Sequence, residues 1–171
     1  MLRICCFMVG SDMAGELASH SFLKGLSFEQ LEALSKIATR AQFKAGKPIF
    51  HQRETADRFY LIEQGRVSLD YALPRKRHVQ IQTIGPGEAL GWSWLAEPYQ
   101  WQFSATAIDD VTVSSFRIFD LREQCASDPK LGYAIMERIA KVLMERLQAT
   151  RHKLLVYVQR ASGDEGTQQV C

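Results

Sequence analysis

The sequence predicts an α+β fold: a β-barrel or sandwich with helices at both ends. Three observations predict it. Between residues 41 and 118 short apolar or alternating runs follow one another, broken by Gly, Pro and Asp. Before and after that stretch, apolar residues recur at the three- and four-residue spacing of helices. Helices confined to the ends of a run of strands mean α+β, not an alternating α/β chain.

A first short helix is expected over 17–26. A second starts at Ser27, because Ser27-Phe28-Glu29-Gln30 is a capping box. Leu31, Leu34, Ile37 and Ala38 give it one apolar face, and it should end near Arg40. Strands are expected at 41–43, 48–51, 59–62, 67–71, 79–84, 103–108 and 111–118. The turn signals between them include Ala45-Gly46-Lys47, Glu63-Gln64-Gly65, Gly85-Pro86-Gly87 and Asp109-Asp110. A short helix over 119–127 follows. Asp128-Pro129 then opens a long one, with Pro at the first helical position, running to about residue 158. The domain reading is a disordered or mis-assigned tail at 1–12, with Met13 a possible start. One domain follows over 13–158, made of helices over 14–40, strands over 41–118 and helices over 119–158. A disordered tail covers 159–171.

Tyr133, Met136, Ala140, Leu143, Leu147, Thr150, Leu154 and Tyr157 repeat at strict 3-4 spacing along the long helix. That is a coiled-coil seam, and it predicts a parallel homodimer through 129–158. Ile135, Ile139 and Val142 lie on a flanking face suited to covering the strands.

Composition narrows the function. The 171 residues are 46% hydrophobic and 23% charged, with a net charge of +2. That is the balance of one ordinary globular domain, too weakly basic for a stand-alone nucleic-acid binder. The densest basic cluster, Arg75-Lys76-Arg77-His78, reads as a solvated hairpin tip. Cys5, Cys6, Cys125 and Cys171 form no disulfide framework and no zinc signature, which suits a reducing cytoplasm. No apolar run is long enough to span a membrane. His20, His51, His78 and His152 offer no H-x-H pair for a metal-dependent barrel enzyme, and no G-x-S-x-G marks a serine nucleophile. No catalytic residue, metal or cofactor is assigned, and the chain is not read as an enzyme.

The most informative segment runs from Gly85 to Ala107: G-P-G-E-A-L-G-W-S-W-L-A-E-P-Y-Q-W-Q-F-S-A-T-A. Trp92, Trp94, Tyr99, Trp101 and Phe103 place five rings in twelve residues. They either line a pocket for a flat or apolar ligand or fill it as a core.

Other stretches carry a resemblance. These are 43–50, Ala56-Asp57-Arg58-Phe59-Tyr60-Leu61-Ile62-Glu63-Gln64-Gly65-Arg66-Val67, Gly85-Pro86-Gly87-Glu88 with Gly91, Ser104-Ala105-Thr106-Ala107 and Arg146-Leu147-Gln148-Ala149-Thr150. On them the chain resembles the cyclic-nucleotide-binding domain of the catabolite-activator-protein superfamily, from about Phe22 to Tyr157. The resemblance implies a double-stranded β-helix (jelly-roll) barrel whose long C-terminal helix dimerises. It also implies a phosphate-binding cassette over Gly91, Trp92, Ser93, Trp94, Leu95, Phe103, Ser104 and Ala105, and a base contact from Thr150. In the family a glutamate after the cassette glycine meets the ribose, and an arginine before the Ser-Ala-Thr run meets the phosphate. Those positions fall here on Trp92 and Phe103, and no Arg or Lys occurs from 92 to 116. Glu88 belongs to the turn upstream. Arg151, or Arg75 to Arg77, is the candidate substitute cation.

The expected function is therefore a regulatory module that does not hold cAMP or cGMP tightly. Its ligand would be a cyclic nucleotide or an apolar or aromatic metabolite. A ligand-free dimeric interaction scaffold and a weak cyclic-nucleotide sensor are the alternatives. Only thirteen residues follow Val158, so no direct DNA binding is expected.

Overall fold

The structure is a computed structural model and describes residues 10–73 and 77–164. Two compact units divide between Ala134 and Ile135, inside the last helix.

Helix α1 spans Gly10–Ser19, not 17–26. His20 ends it. Its Nδ1 accepts from the Phe22 amide and its Nε2 meets the Ile62 carbonyl at 3.0 Å, turning Ser21–Leu23 into a 3-10 turn. Helix α2 spans Phe28–Ile37 and carries the capping box as expected: Ser27 accepts from the Gln30 amide, and Gln30 reaches back to Ser27. It stops short of Arg40 because Ala38 already has extended torsions (φ −76, ψ 142). From Ala38 the backbone pairs with the strand opposite.

Among the described residues eight strands follow: β1 Ala38–Phe43, β2 Pro48–Phe50, β3 Arg58–Gln64, β4 Val67–Leu73, β5 Arg77–Ile84, β6 Ala89–Leu90, β7 Ser104–Ala107 and β8 Val111–Arg117. They form two four-stranded antiparallel sheets, ordered β1-β8-β3-β6 and β2-β7-β4-β5. The described ladders stay two sheets and do not close into one barrel. Strand β6 is absent from the sequence reading because two residues carry no alternation. The strand expected at 103–108 starts one residue later, leaving Phe103 in the loop before it.

The core lies where the sheets and N-terminal helices meet. Leu61, Ile62, Val67, Ile84 and Val113 have no exposed surface, and Phe59 packs its ring on Phe22 and Phe116 at 5.4 and 6.3 Å. Four consecutive residues of β3, Phe59 to Ile62, are buried, so both faces of this strand are covered. The β3–β4 turn depends on Gly65. Its φ is +80, and a Cβ there would stand 2.9 Å from Val111 Cα, against the Asp109-Asp110 turn. That turn is held by Arg66, whose Nε and Nη2 donate to Asp109 at 2.7 and 3.1 Å, and by Lys44 on Asp110 at 2.7 Å.

Helix α3 spans Ile118–Ser127 and helix α4 spans Pro129–Asp164. Helix α4 passes the expected end at 158 by six residues, because Gln159 to Asp164 contain no Pro and continue the helical backbone. Residues 1–9 and 165–171, within the expected tails, lie outside the described residues; Gly10 to Asp12 are helical, not tail. Leu131, Ile135 and Ile139 are buried, whereas Tyr133, Leu143, Leu147, Leu154 and Tyr157 are exposed. Among the described residues no helix is long and apolar enough to cross a membrane.

Candidate functional site

The site is built by the loop between β6 and β7. Strand β6 gives way to Gly91, the residue after Leu90, whose φ of +94 lies in the left-handed region. A Cβ there would come within 2.9 Å of Trp101 Cη2 and 3.0 Å of the Arg58 carbonyl. Glycine is therefore required twice over, for torsion and for space. A 3-10 turn over Ser93–Leu95 follows, closed by the Leu95 amide on the Trp92 carbonyl at 3.0 Å. The rest of the loop is zipped to the segment ahead of β3. The Trp101 amide donates to Glu54, and the Arg53 and Ala56 amides donate to Trp101 and Tyr99, all within 2.9 Å.

This zipper turns Trp101 inward. The indole is 4% exposed and stacks on Phe50 with centroids 3.9 Å apart and planes 13° from parallel. Phe50 in turn stacks on Tyr60 at 6.3 Å. The cavity left beside them has a volume of about 20 Å³. That is room for about one water, far below the ~300 Å³ at which small-molecule sites begin. Its walls are Phe50, Leu69, Leu90, Gly91, Trp92, Ser93, Trp101, Gln102 and Phe103, with no ionisable side chain among them.

Of the residues expected at the site, Gly91, Trp92, Ser93 and Phe103 are brought together here. Phe103 also meets Tyr71 edge-on at 6.1 Å. Leu95 is half-buried and is not part of this wall. Ser104 does not line the cavity; its hydroxyl accepts from the Gln52 amide at 3.0 Å. Ala105 is fully buried in β7. Thr150 belongs to the second unit, where it is exposed and its hydroxyl donates to the Arg146 carbonyl one turn back. Arg151 is exposed on α4, and Arg75 and Lys76 lie outside the described residues.

The five rings do not form one cage. Trp92, Trp101 and Phe103 line the small cavity, whereas Trp94 and Tyr99 line a separate cleft with Arg122. Trp101, Phe50 and Leu69 were missing from the expected site. The dense ring spacing was the one signal for Trp101; Phe50 and Leu69 gave none, because only the pairing of β2 and β4 with β7 brings them there.

Residues 40–128, more than half of the chain, match the cyclic nucleotide-binding domain family. The chain belongs to that family.

Related proteins agree. The chain is 29% identical over 138 residues to the CRP-like cAMP-activated global transcriptional regulator of Mycobacterium tuberculosis, covering 81% of this chain and 60% of the regulator. It is 27% identical to the crystal structure of a putative cyclic nucleotide-binding protein from Geobacter metallireducens. That match has a TM-score of 0.69 and covers 82% of this chain and 99% of the other. A cyclic nucleotide-binding domain from Methylobacillus flagellatus shares the fold, with a TM-score of 0.73 at 18% identity over 85% of this chain and 82% of the other. The chain thus spans about 60% of the length of the mycobacterial regulator.

In this cyclic nucleotide-binding domain Glu88 sits where the sequence reading put it, in the turn. Its Oε2 accepts from the Gly85 amide at 2.7 Å. Among the described residues no group of three His, Cys, Asp or Glu gathers to hold a metal. His20 is spent on structure, and its burial pushes the imidazole pKa down from 6.5 despite the Ile62 carbonyl and Glu63.

Proposed function

We propose that this chain is a regulatory module of the cyclic nucleotide-binding family whose pocket has exchanged an anion grip for aromatic packing. It therefore holds cAMP and cGMP weakly. One observation carries this reading: the cavity at the expected ligand position is lined, among the described residues, without a single cation and is nearly filled by Trp101 stacked on Phe50. An anion there lacks the charge-assisted hydrogen bond worth about 1.5–3 kcal/mol. Its phosphate would also face Phe103, whose ring face is electron-rich. A shortfall of ~2–5 kcal/mol weakens a ligand from about 30-fold to several thousand-fold.

The sheet order supports a jelly-roll reading of the domain, in which β1, β8, β3 and β6 face β2, β7, β4 and β5. The seam on α4 supports a homodimer. Leu143, Leu147, Leu154 and Tyr157 are exposed at coiled-coil spacing, a face that a soluble helix does not leave to water. The mycobacterial relative is a cAMP-activated transcriptional regulator, which supports a regulatory role. The reading assigns no catalysis, cofactor or metal, and a cytoplasmic location.

Thermal shift separates the two versions of this role. A ligand-responsive module melts higher with an apolar or aromatic metabolite and shifts little with millimolar cAMP or cGMP. A ligand-free scaffold responds to no small molecule and shifts only with a protein partner. A rise of many degrees at micromolar cAMP would overturn the reading.

A further inference from the structure

A second cleft, of about 360 Å³, opens beside Trp94, between the segment entering β3 and the start of α3. Its size falls within the ~300–1,000 Å³ of small-molecule sites. Three arginines line it, Arg58, Arg117 and Arg122, with Asp57 the one acidic residue among its described walls.

Two of these cations are placed at an energetic cost. Arg58 and Arg117 are directly opposite each other in the β3–β8 ladder. Like charges directly opposite each other destabilise a sheet pair. Arg58 donates to the Ser115 hydroxyl at 3.2 Å, and Arg117 makes a long 3.6 Å approach to Asp120. The third cation is held by rings: the Arg122 guanidinium lies 5.5 Å from the Trp94 centroid and 5.2 Å from that of Tyr99, and it donates to the Trp94 carbonyl. Cation–π contacts of this kind fix a guanidinium without neutralising it. Trp94 is 4% exposed, and its buried indole N–H has no hydrogen-bond partner among the described residues, a cost the fold bears at this cleft. At the rim Phe119 is 71% exposed and offers a bare ring.

We propose that this cleft is a second ligand site, for a small aromatic phosphate monoester. The dianionic phosphate bridges the opposed arginines and Arg122, since guanidinium matches phosphate geometry in a bidentate way. The flat ring stacks on Phe119. Binding removes the cross-strand repulsion, and the cleft keeps a net positive charge to meet the anion, three arginines against Asp57 and the neighbouring Asp120. The site is independent of the ring-filled cavity, whose walls share no residue with it.

Phenyl phosphate tests this by isothermal titration, with inorganic phosphate and phenol as the component arms. The expected result is saturable one-to-one binding that weakens with salt. Inorganic phosphate should bind about tenfold or more weaker and phenol not at all. Arg117→Gln, at an exposed position, should lose about fivefold or more, and Arg122→Gln more still. Should Arg122→Gln fail to fold, Arg117→Gln alone decides. The proposal is overturned by absence of saturable heat at about 10 mM phenyl phosphate. Affinity unchanged in Arg117→Gln, affinity insensitive to salt, or phenol binding as well as its phosphate ester would each overturn it too.

Discussion

Replacing Trp101 by Ala removes the ring that stacks on Phe50 beside the small cavity. The indole is 4% exposed, lies 3.9 Å from the Phe50 ring and presses on Gly91, so little can collapse into its place. A buried Trp→Ala change costs about 3–5 kcal/mol. For a chain of this length that lowers Tm by roughly 6–20 °C. The void adds on the order of 150 Å³ to the present cavity, the scale at which engineered apolar cavities stay dry and take up flat ligands. Indole should therefore rescue the variant. At about 1 mM indole and an affinity of about 0.1 mM, linkage returns about 1.4 kcal/mol, or roughly 3–6 °C. The assay is calorimetric melting of both proteins with and without indole. An unchanged Tm in Trp101→Ala, or indole stabilising the parent as much as the variant, would refute the view that this ring is packed core.

Three further outcomes follow from the same structure. Gly65→Ala should destabilise by about 2–5 kcal/mol, combining left-handed strain with a clash on the Val111 backbone. Gly46→Ala, also at positive φ but with open space, should cost only about 1–2 kcal/mol; urea midpoints of the two variants check the difference. His20 has its pKa lowered from 6.5, chiefly by burial, so the folded state resists protonation that the unfolded chain accepts. Stability should be flat above about pH 6.5 and fall as pH drops below it, at up to about 1.4 kcal/mol per pH unit, and His20→Gln should remove that slope in urea titrations. Leu147→Glu, at an exposed seam position, should turn a dimer into a monomer in sedimentation equilibrium while leaving the melting of the sheet unit intact.

Much of the fold was legible because its signals are local. The Ser27 capping box, the Asp128-Pro129 helix start and the glycine turn at 65 are each specified within four residues. The misplaced pieces were set by distant partners. Helix α1 stops at His20 because Ile62, forty-two residues on, takes the imidazole. Strand β1 begins three residues early because β8 pairs with it from Ala38. The site divides the same way. Gly91, Trp92, Ser93 and Phe103 were readable from the loop motif, and they do meet. Phe50 and Leu69 come from other strands, and the turning of Trp94 and Tyr99 away from Trp101 depends on backbone bonds to residues 53–56 that no periodicity encodes.

The most direct test is a titration of cAMP into the purified protein at low and at physiological salt, beside a Trp92→Glu/Phe103→Arg variant. We expect no saturable heat from the parent below about 1 mM, and a gain of at least about 30-fold in the variant, since it regains the carboxylate and the guanidinium. Micromolar, salt-sensitive binding by the parent, with no gain in the variant, would show that this pocket never gave up its anion.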